Sequence, residues 1–198
     1  ITAVPGYEIR MDRFLSSRTY SRLVPQIRYQ HALNLFRAGD YKTASQWLET
    51  IKPGQLYRSG RTEFLFNRAY CNFENQDYAT AYTRFDEVQK QAFSDYTSPS
   101  RYAMGYIKYR ENDFAEALKW FEQSSKDGRF ASVSNWYIIE CRFMMKDYAY
   151  VTSHAPAMFD KVPEDRRPAM ARMISESYMV QGDAENARKY LDLNAVSD

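Results

Sequence analysis

The sequence predicts an all-α fold, a solenoid of about five stacked helical hairpins, from two observations. A short pattern recurs along the chain, an acidic residue, then an aromatic residue, then Ala three positions after the aromatic. In the stretches before it, apolar residues fall at i, i+4 and i+7, one face of a helix, and no strand-like alternation of useful length accompanies them.

The pattern reads Asp40-Tyr41 with Ala44, Asp77-Tyr78 with Ala81, and Asp113-Phe114 with Ala117. It continues as Asp147-Tyr148 with Val151 and Asp183-Ala184 with Ala187. The aspartates stand 37, 36, 34 and 36 residues apart. Nine residues before the aromatic lies a small residue, Ala32, Ala69 or Gly105. Seven after it lies a large apolar one, Leu48, Phe85 or Phe121, with Leu191 at that place in the fifth unit.

Each place has a physical reason. Asp accepts hydrogen bonds from the free N–H groups that open a helix, and Asp113 with Glu116 has capping-box spacing. The residue before each Asp closes the preceding helix. Gly39, Asn112 and Gly182 suit the left-handed conformation common there, whereas Gln76 and Lys146 suit it less. Each unit therefore reads helix, tight turn, helix. The small residue lets the second helix approach where its Ala meets the first, and Ala69 and Gly105 are expected at such contacts. Breaks between units are expected at Lys52-Pro53-Gly54, Ser94 to Pro99, Lys126-Asp127-Gly128 and Val162 to Pro168. Residues 1–20 read as a partly helical N-terminal segment and residues 21–198 as the repeat array.

This pattern resembles the tetratricopeptide repeat family, whose unit is a helical hairpin of about 34 residues. The likeness runs from about Pro25 to Asn194 and is closest in YAMGYIKYRENDFAEALKWFEQ, Tyr102 to Gln123. Unit four departs, with Ile139 at the small place, Val151 for Ala and Ala155 at the large place. Unit five has Ser175 at the small place and Ala184 for the aromatic. Irregular packing is expected in both, with the last as a cap. Aromatic-rich first helices such as YAMGYIKY and WYIIECRF also resemble bacterial cell-envelope members of the family, so the periplasm or envelope is the expected compartment.

Composition sets the bounds. The chain has 198 residues, 44% hydrophobic, 26% charged and 16% aromatic, ordinary globular chemistry in which 17 Tyr and 12 Phe stand out. A net charge of +2 gives no sign of nucleic-acid binding. No apolar run reaches the ~18 residues of a membrane helix. The start, Ile1-Thr2-Ala3-Val4, lacks Met and a signal-peptide pattern, and reads as a processed or trimmed piece of something longer.

No catalytic or metal-binding motif emerges, and neither enzyme activity nor a cofactor is expected. His31 reads as packing within a first helix and His154 as surface. Cys71 and Cys141 each lie seven residues before the unit's aromatic, equivalent places that read as small buried groups between hairpins. They are expected to stay unbridged.

The functional expectation rests on the aromatic faces. The family resemblance implies a concave surface lined by first-helix residues twelve, eight and five positions before the turn aromatic. Those offsets give Tyr29, Leu33 and Phe36; Phe66, Tyr70 and Phe73; Tyr102, Tyr106 and Tyr109; and Trp136, Glu140 and Phe143. All but Glu140 are apolar or aromatic, the residues that anchor interfaces, although the same places also serve packing. The expected site is one groove of Phe66, Tyr70, Phe73, Tyr102, Tyr106, Tyr109, Trp136 and Phe143, with Arg37 and Arg110 steering an acidic segment. The expected partner is a protein or peptide. The alternative is a structural spacer or self-association module of a longer envelope protein.

Overall fold

The computed structural model describes residues 7–17 and 21–195. Among them are eleven α-helices and no strand. After α1, Tyr7–Ser17, the helices pair as α2, Val24–Arg37, with α3, Tyr41–Glu49, and α4, Arg61–Glu74, with α5, Tyr78–Gln89. The series continues with α6, Thr97–Arg110, and α7, Phe114–Ser124; α8, Gly128–Met144, and α9, Tyr148–His154; and α10, Arg167–Val180, and α11, Ala184–Ala195. By its contacts the chain divides between Tyr96 and Thr97 into two compact units. The first holds α1 and hairpins one and two; the second holds hairpins three to five. The sequence reads as one array from residue 21, and residues 18–20 lie outside the described residues.

One turn is built five times. The Asp N–H donates to the carbonyl five residues back, from Asp40 to Leu35, Asp77 to Asn72, Asp113 to Lys108, Asp147 to Arg142 and Asp183 to Tyr178, at 2.8–3.0 Å. The residue before it donates to the carbonyl three back, from Gly39 to Phe36 through Gly182 to Met179. This double closure of a helix end requires a left-handed residue between the two helices. Gly39, Gln76, Asn112, Lys146 and Gly182 all have φ between 61° and 82°. Gln76 and Lys146, which the sequence ranks as poor candidates, are held there by the two bonds across them. The same Asp opens the next helix, its Oδ1 accepting from the backbone N–H of Thr43, Thr80, Glu116, Tyr150 or Asn186. At Asp40 and Asp183 these donors hold the carboxyl below the usual carboxylate range. The Asp113–Glu116 capping box forms by half only. The Asp113 N–H is already spent on Lys108, and the Glu116 carboxylate turns to Lys119 at 2.6 Å.

Packing follows the repeat. Ala32, Ala69, Ala44, Ala81, Ala117, Phe85 and Phe121 are wholly buried and Leu48 nearly so. Gly105 packs directly beneath Phe121, where a Cβ would lie 2.9 Å from two ring carbons. Cys71 joins Ala44 and Leu48 in one core cluster, and Cys141 joins Ala117 and Phe121 in another. Both thiols are free and fully buried, each between one hairpin's second helix and the next hairpin's first. Burial pushes both up to about 12. His31 is buried edge-on against Trp47, while His154 lies on the surface, stacked on Tyr150 at 3.9 Å.

Unit four is irregular, as its sequence suggests, whereas α10 and α11 of unit five form a regular hairpin with the standard turn. Pro156 stops α9 after seven residues, and a 3₁₀ run, Pro156–Lys161, follows with Ala155 buried at the large place. Two expected breaks are shorter than read. Pro99 and Pro168 both sit in the first turns of α6 and α10, where a missing N–H costs nothing. Leu191 departs from its equivalents, 46% exposed where Leu48 and Phe121 are buried. No described helix is long and apolar enough to cross a membrane.

Candidate functional site

In the first unit the ring face is built by α2 and α4. Tyr29 and Leu33 are core residues, each 6% exposed. The Tyr29 hydroxyl accepts from Asn67 at 3.2 Å and its ring meets Phe64 edge-on. Phe36, Phe66, Tyr70 and Phe73 are half-buried. Tyr70 is their centre, with ring centroids 5.5 Å from Phe36, 5.7 Å from Tyr41, 5.9 Å from Phe66 and 6.1 Å from Phe73. Phe66 also packs on Phe85 and Tyr96. Burial raises the Tyr70 hydroxyl well above its usual range, and its hydrogen bond to Glu74 raises it further. That hydroxyl therefore already has a partner. Arg37 is exposed at the end of α2.

In the second unit α6 and α8 supply the rings. Tyr102, Tyr106, Tyr109 and Phe143 are half-buried, and Arg110 is exposed. The three tyrosines converge on Tyr137, which stacks on Phe121 at 4.9 Å and 9°. Tyr137 meets Tyr102, Tyr106 and Tyr109 at 6.1, 5.9 and 5.1 Å. Tyr102 reaches Phe121 and Phe130, Tyr109 reaches Phe114, and Phe143 reaches Tyr148. Trp136 is 7% exposed and belongs to the core with Met170, Met173 and Ile174, the Arg166 guanidinium lying 5.3 Å from its ring centre. It is a packing residue rather than a surface one. The Glu140 carboxylate accepts from the Trp136 indole and the Tyr109 hydroxyl. Burial raises Glu140 in spite of those bonds, and burial with the Glu140 charge pushes Tyr109 up to about 12.

Tyr70 thus sits in the first unit and Tyr106 in the second, and each unit presents its own aromatic face. Tyr137, the hub of the second face, escaped the offsets read from the sequence because it lies one residue past the Trp136 row. The signal was the adjacent Trp136-Tyr137 pair. Both faces offer partly open rings beside a carboxylate, Glu74 or Glu140, held by a tyrosine hydroxyl. Such surfaces bind by shape and apolar area, with hydrogen bonds setting register.

Two solved structures share the fold. The first is a crystal structure of nearly identical TPR-like repeats from a Podosopora anserina protein named as a putative kinesin light chain. It is 12% identical with a TM-score of 0.59, over 89% of this chain and 96% of that one. The second is a point variant of the same protein, 13% identical with a TM-score of 0.58, over 94% of this chain and 95% of that one. No protein-family model and no curated protein matches the chain. The fold and its repeating turn place the chain in the class of TPR-like, all-α helical-repeat folds. The likeness is one of fold and lends no support to a cell-envelope origin.

Proposed function

We propose that the chain is a non-enzymatic protein-interaction scaffold that receives a peptide or partner protein on its aromatic faces. Helical-repeat folds of this class bind through surface rather than through an enclosed reaction site. The observation that carries the reading is the half-buried state of Tyr70 and of Tyr102, Tyr106 and Tyr109. A ring needed only for packing gains by full burial, as at Phe64 and Phe85. These rings instead hold one another in place, so little side-chain freedom is lost when a ligand covers them. Arg37 and Arg110, exposed at the ends of α2 and α6, favour an acidic segment and act mainly on the association rate.

The test is partner capture from the native source. Tyr106→Ala should weaken the captured partner at least about tenfold, the loss of one interface anchor. Far-ultraviolet circular dichroism should show an unchanged helix content. Arg110→Glu, at an exposed position, should slow association of the same partner and leave the melting curve in place. Undiminished capture by both folded variants would remove the second unit's aromatic face from the function.

A further inference from the structure

We propose that a hollow at one end of the first unit's aromatic face is a subsite for the guanidinium of an arginine carried by the partner segment. The hollow, about 250 Å³, lies between α2 and the start of α4 and is lined by Gln26, Tyr29, Leu56, Tyr57, Gly60 and Glu63. Leu56, Tyr57 and Gly60 come from the connection that carries the short 3₁₀ turns Pro53–Gln55 and Arg58–Gly60. On α4, Glu63, Phe66, Tyr70 and Phe73 fall at i, i+3, i+7 and i+10, so the carboxylate continues the row of rings. The subsite therefore deepens the reading of that face as a partner surface and rests on it.

The hollow offers acceptors and rings. Glu63 is half-buried, and no described residue gives its carboxylate an ion pair or a hydrogen bond. Burial raises the Tyr29 and Tyr96 hydroxyls, and the Glu63 charge raises both further, which puts that charge near the two tyrosines. The Gln26 amide N–H donates to the Gln55 carbonyl at 3.3 Å, and the buried Gln26 oxygen is left without a donor. Tyr57 is 67% exposed and meets no other ring among the described residues. The Arg61 guanidinium is turned to the Leu56 and Gly54 carbonyls at 3.1 and 3.4 Å, and Arg22 and Arg28 line a separate hollow. A guanidinium answers each of these features, with a planar fork for the carboxylate, an N–H for the amide oxygen and a face for the ring.

The second unit fills the place that the first leaves open. Tyr29 and Tyr102 both lie twelve residues before their turn aromatic, and Gly60 and Phe130 both lie eighteen before theirs. In the second unit Phe130 packs on Tyr102 at 5.7 Å. In the first unit the same register brings glycine, and a Cβ there would meet nothing within 4 Å. With φ at −99°, the backbone does not require glycine at this position. The face also has a direction. Tyr29 meets Phe64 near the start of α4 and Phe36 meets Tyr70 later in it, so α2 and α4 run side by side the same way. Arg37 thus stands at the far end from Glu63, and the segment lies with its arginine at Glu63 and its acidic residue at Arg37.

Titration of the full chain with Nα-acetylarginine amide, followed by amide proton–nitrogen NMR, tests this. The N–H signals of Tyr57, Gly60 and Glu63 should shift and saturate, with Kd on the order of 1 mM. Glu63→Gln should weaken binding about tenfold, and Gly60→Phe should abolish it, both with unchanged helix content. The citrulline counterpart, an uncharged urea of the same shape, should leave these signals in place. Signals unmoved by the arginine probe up to about 100 mM, a hundredfold above the expected Kd, overturn the proposal. So does equal binding of the citrulline probe, or a Glu63→Gln or Gly60→Phe chain that binds as wild type does. The titration contains no partner, so failure of the subsite is read apart from failure of the face, which crosslinking at Tyr70 reports.

Discussion

Gly105→Leu is expected to destabilise the second unit by about 3 kcal/mol, the upper end of what overpacking a core costs. The Cβ alone meets Phe121 Cδ1 and Cε1 at 2.9 Å. That ring has nowhere to go. It is wholly buried, stacked on Tyr137 at 4.9 Å and tilted against Tyr102 at 5.8 Å. The more telling variant is Gly105→Ala. Alanine favours the interior of a helix over glycine by about 1 kcal/mol, so an open site would gain stability. Here the collision should outweigh the gain and lower the denaturant midpoint. Pairing it with Phe121→Leu should recover part of the loss, a coupling that a double-mutant cycle reads. A Gly105→Ala variant more stable than wild type would show that α6 and α7 do not meet at this point.

The cysteines provide the second large effect. At pH 8 a thiol pushed up to about 12, against an ordinary 9.0, carries about a thousandfold less thiolate. Burial of Cys71 and Cys141 adds a barrier of access. Alkylation of the native chain at pH 8 should therefore be far slower than in denaturant, and should proceed through local opening. Cys141 shares a core cluster with Phe121, so Gly105→Leu should speed its modification more than that of Cys71. Mass spectrometry after timed quenching separates the two. A native Cys141 that reacts at the denatured rate would contradict the packing between α7 and α8.

The same groups set a pH dependence. Cys71, Cys141 and Tyr109 have folded-state values raised to about 12, from 9.0 for the thiols and 10.0 for the phenol. Their contribution to stability is complete below the unfolded values and disappears as pH climbs toward 12. The melting temperature should decline above about pH 9. The lowered Asp40 and Asp183 act at the other end, giving stability above the unfolded aspartate value that is lost as acid protonates them in the folded state.

The fold was legible because its decisive contacts are local. Each Asp closes one helix through the carbonyl five residues back and opens the next through the N–H three residues on, so the turn is written in sequence order. The small place is equally local, and Gly105 reads as a contact before any partner is known. Gln76 and Lys146 were harder, since their left-handed backbone follows from the hydrogen bonds that span them rather than from their own preference. The aromatic faces were legible in position and not in depth. Equal offsets from the turn gave Trp136 and Tyr102 the same standing, yet Trp136 lies in the core with α10 while Tyr102 is half-buried. Which ring a neighbouring helix covers depends on side chains tens of residues away. Tyr137 is of the same kind, placed by Phe121.

The proposed binding place of a partner is the aromatic first-helix faces. Photo-crosslinking in native extract tests it most directly, with benzoylphenylalanine placed at Tyr70 or Tyr106 and, as controls, at the exposed Glu87 of α5 or Lys119 of α7. A partner adduct is expected from Tyr70, Tyr106 or both, and none from Glu87 or Lys119. Adducts formed only from Glu87 and Lys119 would contradict it.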